Sequence, residues 1–315
     1  MVDVIFNTQF NMLTHEVFFG RNTESSSNRI VIQDGGRTGV YEGRFAYSTS
    51  GDVSGLLTGY TEYRSGAVAW AVSDIQFDAN VAFRFVNANA LQGLFTNALS
   101  GPDRIFGSNA SDVIFASSGN DRIMGRGGND EIHGDGGIDT AVFQGRVRDY
   151  TITTSSWGIS VSDSVASRDG TDLLSTVERL EFSDGKLAFD IFGNAGEAFR
   201  LYQAAFDRTP DIDGISYWIK QRDAGISLKE IAAAFIGSAE FQQRYGGADD
   251  RGFTNLLYQN VLDRAPDADG AAYWIGQLGR GLSREDMLLG FSESPENQSN
   301  TLPAMSKGIP YFDLG

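Results

Sequence analysis

The chain has 315 residues, 41 Asp and Glu against 25 Lys and Arg, a formal net charge of −16 and no cysteine. That length accommodates two or three domains, each with its own core. The acidic balance argues against nucleic acid and anionic membrane as partners, because both need a basic face. It suits an excreted protein that collects cations, and the lack of cysteine excludes disulfides, thiolate metal sites and cysteine nucleophiles.

Met1–Gly20 has no basic start and no continuous apolar core, since Asp3, Asn7, Gln9, Asn11 and His15 interrupt it. A cleaved secretory signal is therefore not expected there, and no other run is long enough to span a bilayer. Residues 1–97 read as a β-rich module. Val40–Tyr47, Val53–Tyr63 and Ala67–Phe77 alternate or cluster β-branched and aromatic residues, with turns at 50–52 and 64–66. A helix is not expected across the Gly and Ser interruptions. The expected form is an antiparallel sheet that docks on, or continues into, the next segment. Tyr41, Tyr47, Tyr60, Tyr63 and Trp70 either line a sugar-binding face or pack in the core and across strands, and the second reading is preferred.

Residues 98–142 carry a strict period. Asp103, Asp112, Asp121, Asp130 and Asp139 stand nine residues apart, and two residues after them come Ile105, Ile114, Ile123, Ile132 and Ala141. The cleanest copies, GRGGNDEIH (Gly125–His133) and GDGGIDTAV (Gly134–Val142), follow the register G-G-x-G-x-D-x-U-x of a parallel β-roll. Glycines (Gly119, Gly125, Gly127, Gly128, Gly134, Gly136 and Gly137) permit a tight loop and a close approach of backbone to an ion. Aspartate and loop carbonyls supply the hard oxygens that calcium prefers. If two nonapeptides make one turn, residues 18 apart stack. Asp103, Asp121 and Asp139 then share one side, and Asp112 and Asp130 the other. Stacked carboxylates repel unless a cation lies between them.

These residues resemble the RTX (repeats-in-toxin, haemolysin-type) calcium-binding family of bacterial secreted proteins. The match is uneven: Ala98–Phe106 and Gly107–Phe115 have lost most glycines, and Ala116–Met124 keeps Gly119 and Asp121. The resemblance implies two or three Ca2+ ions, the surest between Asp121 and Asp139 and between Asp112 and Asp130, with the first repeat as a cap. It also implies export in one step by a type I secretion apparatus to the outside or cell surface of a bacterium. The acidic, apolar end of the chain is compatible with such a signal.

Asp149–Asp163 reads as a hairpin, and Asp169–Phe189 continues with inward Leu, Val and Phe, similar to the segment that closes RTX rolls. Asp163, Asp172 and Asp184 are read as turn formers and solvated charges, with a further ion as the alternative. Phe192–Glu197 is the expected linker.

From about Ala195 the period becomes 3.6, so the rest is helical. Leu201–Ile219 returns as Leu257–Ile275, and Ala224–Phe241 returns more loosely as Arg280–Asn297. Units of about 198–246 and 254–300 follow, each of about three helices packed on Trp218 or Trp274. Asp211, Asp213, Asp267 and Asp269 are placed to cap the helices after Pro210 and Pro266. Gly225 and Gly281 suit the position past a helix end, and Ser227 with Glu230 makes a capping box. The duplicated phrase resembles a helical domain of uncharacterised activity that often follows RTX repeats. The Pro-Asp-x-Asp-Gly loops are either second calcium sites or capping turns with Asp207–Arg208 and Asp263–Arg264 ion pairs. An EF-hand is excluded, because the required glutamate is Lys220 in one copy and Gly276 in the other.

No catalytic arrangement stands out. His15 and His133 are the only histidines, and no HExxH, G-x-S-x-G elbow, P-loop or dinucleotide fingerprint occurs. The reading is a multi-domain α+β protein: a β-rich module (1–97), a short parallel β-roll with its closing strands (98–191) and a duplicated all-α domain (195–315). Its expected role is that of a secreted, non-catalytic calcium-binding protein, an adhesin or a binder of extracellular polysaccharide or a cell-surface protein. The alternatives are an enzyme acting on polysaccharide through carboxylates of the β module, and a purely structural, self-assembling surface protein.

Overall fold

A computed structural model describes residues 1–313, which divide into two compact units, Met1–Asp184 and Gly185 onward. The architecture is α+β, a β-rich part with parallel strands followed by an all-helical region.

In the first unit, β1 (Asp3–Phe6), β2 (Arg21–Ser25), β3 (Arg29–Asp34), β4 (Arg37–Tyr47), β5 (Val53–Arg64) and β6 (Ala67–Asp78) form an antiparallel sheet whose hairpin turns fall where Gly and Ser cluster. Two helices follow, α1 (Ala79–Asn87) and α2 (Leu91–Ala98). The module is β-rich as expected, and the two helices correct the expectation that it holds no helix. Between Ser73 and Gly93 no Gly or Ser interrupts the chain; there Ala79, Ala82 and Val86 share one buried face, and the Asp78 carboxylate accepts from the Val81 N–H as N-cap. Tyr41, Tyr60 and Trp70 lie in the core between sheet and helices, at 5%, 8% and 4% exposure, while Tyr47 is exposed.

The nonapeptides form three-residue strands: β7 (Arg104–Phe106), β8 (Val113–Phe115), β9 (Arg122–Met124), β10 (Glu131–His133) and β11 (Thr140–Val142). They stack in parallel on alternate sides, β7 on β9 on β11 and β8 on β10, with residues 18 apart as partners. Ile105, Ile114, Ile123, Ile132 and Ala141 point inward and are fully buried. A strand rises about 3.3 Å per residue, so three residues suffice only because each rests on the turns above and below.

The β module and the roll, read separately from the sequence, belong to one compact unit because β1 serves both. It pairs antiparallel with β6 and parallel with β7. At the other end, residues 143–166 leave the roll and include the hairpin β12 (Tyr150–Ser155) and β13 (Gly158–Asp163). The chain then returns as β14 (Thr171–Ser175), parallel to β10, and β15 (Arg179–Phe182), parallel to β11.

The second unit opens with β16 (Gly185–Ala188), paired antiparallel with the final strand β17 (Ile309–Tyr311). Between them lie α3 (Asn194–Phe206), α4 (Ile212–Asp223), α5 (Leu228–Ile236) and α6 (Ala239–Tyr245), then the equivalent α7 (Asp250–Leu262), α8 (Ala268–Leu278), α9 (Arg284–Ser292) and α10 (Pro295–Met305). Each repeat thus has four helices, not three. Ser238 and Ser294 act as N-caps immediately after α5 and α9 and start a further helix in each repeat. The expected linker also shortens, since α3 begins at Asn194 and the Asp190 carboxylate accepts from the Ala195 N–H. Leu201, Phe206, Phe235, Phe253, Leu257 and Phe291 build the main core, with Trp218 and Trp274 packed on its edge.

Candidate metal centre

The aspartates form two ladders. On one side the Asp103 N–H donates to Asp121 Oδ1 and the Asp121 N–H to Asp139 Oδ1, both at 2.8 Å. On the other the Asp112 N–H donates to Asp130 Oδ1 at 2.8 Å. Each carboxylate is thus tied by one oxygen to the backbone of the turn below, and this fixes the rotamer and the vertical register. The ladders start earlier than the repeats: Val2 N–H donates to Asp103 Oδ1 and Phe10 N–H to Asp112 Oδ1, each at 2.6 Å. The first repeat is therefore covered by an extra turn built from the N-terminal strand.

The second oxygens decide the chemistry. Oδ2 of Asp103, Asp121, Asp130 and Asp139 is buried and has no hydrogen-bond partner among the described residues, whereas Asp112 Oδ2 accepts from the Ser108 N–H. A buried carboxylate oxygen without a donor carries the full desolvation cost of its charge. Burial is the main cause that pushes the Asp121, Asp130 and Asp139 carboxyls up to about 7; the N–H on Oδ1 works against it, and the neighbouring aspartate adds to the rise. A cation removes that cost and a proton removes it less completely, so the four orphaned oxygens fit a hard divalent ion.

The glycines complete the cradle. Gly119, Gly128 and Gly137 have φ of 132°, 119° and 143°, and a Cβ on Gly137 would lie 1.7 Å from the Gly119 carbonyl oxygen. A Cβ on Gly125 or Gly134 would lie 2.3 or 2.5 Å from Oδ2 of Asp130 or Asp139 in the same loop. The space a side chain would fill is the space between carboxylate and loop backbone. Gly127 and Gly136 lie between these positions in ordinary backbone regions. Among the described residues, no three His, Asp or Glu side chains converge to hold an ion by themselves. The donor set is two aspartates plus loop carbonyls, oxygen throughout, which suits calcium rather than zinc.

The other candidate residues serve structure. Asp211 and Asp267 cap α4 and α8 through the Gly214 and Gly270 N–H groups, at 2.8 and 2.7 Å. Asp213 and Asp269 stand exposed in the first turns, where the helix dipole favours them. The expected Asp207–Arg208 and Asp263–Arg264 pairs do not form. Neighbours in sequence do not face each other; Arg208 instead pairs with Glu240 and Asp211, and Arg264 with Glu296 and Asp267, each guanidinium about 5 Å above a tyrosine ring (Tyr202, Tyr258). Asp163 pairs with Arg168, and Asp184 accepts from the Val147 N–H. His133 lies on the outer face of the roll, stacked on Phe115 at 4.2 Å. His15 stacks on Phe10, with Nε2 3.9 Å from the buried Glu62.

Residues 106–141 match the RTX calcium-binding nonapeptide repeat (4 copies), and residues 198–240 and 232–301 match a domain of unknown function, DUF4214. The chain thus carries RTX repeats followed by two copies of that helical domain. No curated protein matches the chain. Among solved structures, the extracellular lipase LipA from Serratia marcescens is similar at 21% identity with a TM-score of 0.18. That likeness covers 30% of this chain and 18% of the lipase, too little to carry an argument. RTX repeats support calcium binding and a secreted protein, and no helix among the described residues is long and apolar enough to cross a membrane.

Proposed function

We propose that the chain is a non-catalytic extracellular protein whose roll is ordered by two or three calcium ions after export by a type I apparatus. The observation that carries this reading is the set of orphaned, buried Oδ2 atoms on Asp103, Asp121, Asp130 and Asp139. Where calcium is scarce, those charges weaken the roll and leave the chain exportable. Where it is plentiful, binding to the native state alone stabilises by RT ln(1 + [L]/Kd), about 1.4 kcal/mol per site at ten times Kd. Extracellular calcium modules bind with Kd on the order of 10⁻⁴ to 10⁻³ M. The test is thermal unfolding in chelator and in millimolar calcium. A higher midpoint in calcium is expected, and equal midpoints refute the reading.

For the ligand, we propose a surface polysaccharide bound by the β module. Support comes from a groove lined by Phe19, Tyr47 and Phe83 with Asn22 and Asn87. It continues past Asn80 and Arg84, an exposed guanidinium at the end of α1. The exposed Phe19 and Tyr47 rings and the half-buried Phe83 ring, flanked by amides, suit the apolar faces and hydroxyls of a sugar. Glycan-array binding that is lost in Tyr47→Ala with the fold intact is the expected result, and unchanged binding in that variant refutes the site.

A further inference from the structure

The family match ends at residue 141, yet one ladder does not. The Asp130 N–H donates to Asp172 Oδ1 at 2.9 Å, the same bond that joins Asp112 to Asp130, although 42 residues separate the partners instead of 18. The returning segment SRDGTDLLS (167–175) keeps the nonapeptide's glycine, aspartate and inward apolar residue at its fourth, sixth and eighth positions. Gly170 has φ 83°, and its missing Cβ would lie 1.7 Å from the Gly128 carbonyl oxygen, as that of Gly137 would from Gly119. The Thr171 N–H donates to Asn129 Oδ1 at 2.9 Å, as the Ile138 N–H does to Asn120 Oδ1. Leu173 pairs with Glu131, and Leu174, fully buried, stacks on Ile132.

We infer that loop 167–172 is a sixth calcium loop, and that Asp172 and Asp130 with the carbonyls of their two loops hold an ion beyond the nonapeptide run. This rests on the calcium reading of the roll. Its geometric support is Asp130 Oδ2, 98% buried by residue and, among the described residues, without a hydrogen-bond partner, on the rung directly beneath Asp172. Asp172 is equally buried. Two substitutions in the loop are compatible with the role. Asp169 takes the third position, where Gly127 and Gly136 have ordinary backbone angles, and its carboxylate turns away to accept from Tyr150 and Gln144. Ser167 takes the first position with φ 61°, so the left-handed residue stands one place earlier than Arg126 or Asp135 in the preceding loops.

The opposite ladder closes differently. The Asp139 N–H donates to Glu178 Oε2 at 2.9 Å, but Glu178 follows Asp172 by six residues rather than nine, and Thr176 stands in the short connection with φ 51°. That link is too short for a glycine loop with its row of carbonyls. Glu178 is a cap, and the ions on the two sides of the roll are unequal in arrangement.

Asp172→Asn tests this, because the amide oxygen still accepts from Asp130 while the charge is gone. Calcium bound per chain is measured by equilibrium dialysis on the full protein, with Glu178→Gln as control and far-UV circular dichroism to verify folding. Asp172→Asn is expected to bind one ion fewer than the parent, and Glu178→Gln the same number. An unchanged count in Asp172→Asn overturns the inference while leaving the roll's calcium binding in place; a parent that binds no calcium overturns both. If Asp172→Asn does not fold, hydrogen exchange of the parent decides. Amides 168–172 slowed by calcium together with 126–130 support the sixth loop, and slowing of 126–130 alone overturns it.

Discussion

The sharpest consequence of the ladder is an inverted pH dependence of stability without calcium. Most proteins lose stability in acid because their carboxylates titrate below the unfolded value. Here burial raises Asp121, Asp130 and Asp139 from 3.8 to about 7, and Asp172 to about 8. A raised acid binds its proton more tightly in the folded state, so it costs nothing below about pH 3.8 and the full penalty above its folded value. At pH 8 a carboxyl raised to about 7 costs about 4 kcal/mol, and at pH 5 only about 1.6. Each such aspartate thus removes roughly 2–3 kcal/mol between pH 5 and 8, against a domain margin of about 5–15 kcal/mol. At roughly 2–4 °C per kcal/mol, even one group lowers the midpoint by about 5–10 °C. The assay is calorimetry in chelator across pH 5–8, repeated in saturating calcium. The calcium-free midpoint of the first unit should fall as pH rises, and calcium should remove most of that slope while releasing protons near pH 7. A calcium-free midpoint that is flat or rises with pH refutes the reasoning.

Asp121→Asn keeps the acceptor for the Asp103 N–H and drops a buried charge, so its calcium-free midpoint should match or exceed the parent's while its calcium-induced shift shrinks by about 1–3 kcal/mol, measured by paired melts. Gly137→Ala places a Cβ on the Gly119 carbonyl at φ 143° and should cost at least about 3 kcal/mol by denaturant unfolding in calcium. Gly101→Ala, with open space at its Cβ and no left-handed backbone, should stay within about 0.5 kcal/mol. In the helical unit, Phe253→Ala removes a fully buried ring and should cost about 3–5 kcal/mol, whereas Arg264→Ala breaks a half-exposed pair with Glu296 and should cost about 1 kcal/mol or less.

Much of the roll was legible in its residues because its determinants are local. Nine-residue spacing brings one carboxylate and one inward apolar side chain to the same place on successive half-turns, whatever surrounds them. The duplicated helices were legible for a similar reason: Asp211, Ser227 and Gly225 act within one turn of their own chain. Helices α1 and α2 were missed although Ala79, Ala82 and Val86 carry the right spacing, because the Gly- and Ser-rich strands before them coloured the whole segment. The arginine partners Glu240 and Glu296 were missed because they sit 32 residues away on another helix.

By itself the chain's composition and period determined an acidic, cysteine-free protein with a roll of RTX-type nonapeptides and a repeated helical domain. Only the tertiary structure decided where the roll begins and ends. Val2 and Phe10 donate to the first aspartates from about 100 residues away, and Asp172 re-enters its ladder after a hairpin has broken the period. Those partners are set by which strands stack, and stacking is a property of the folded coil that no spacing along the chain encodes.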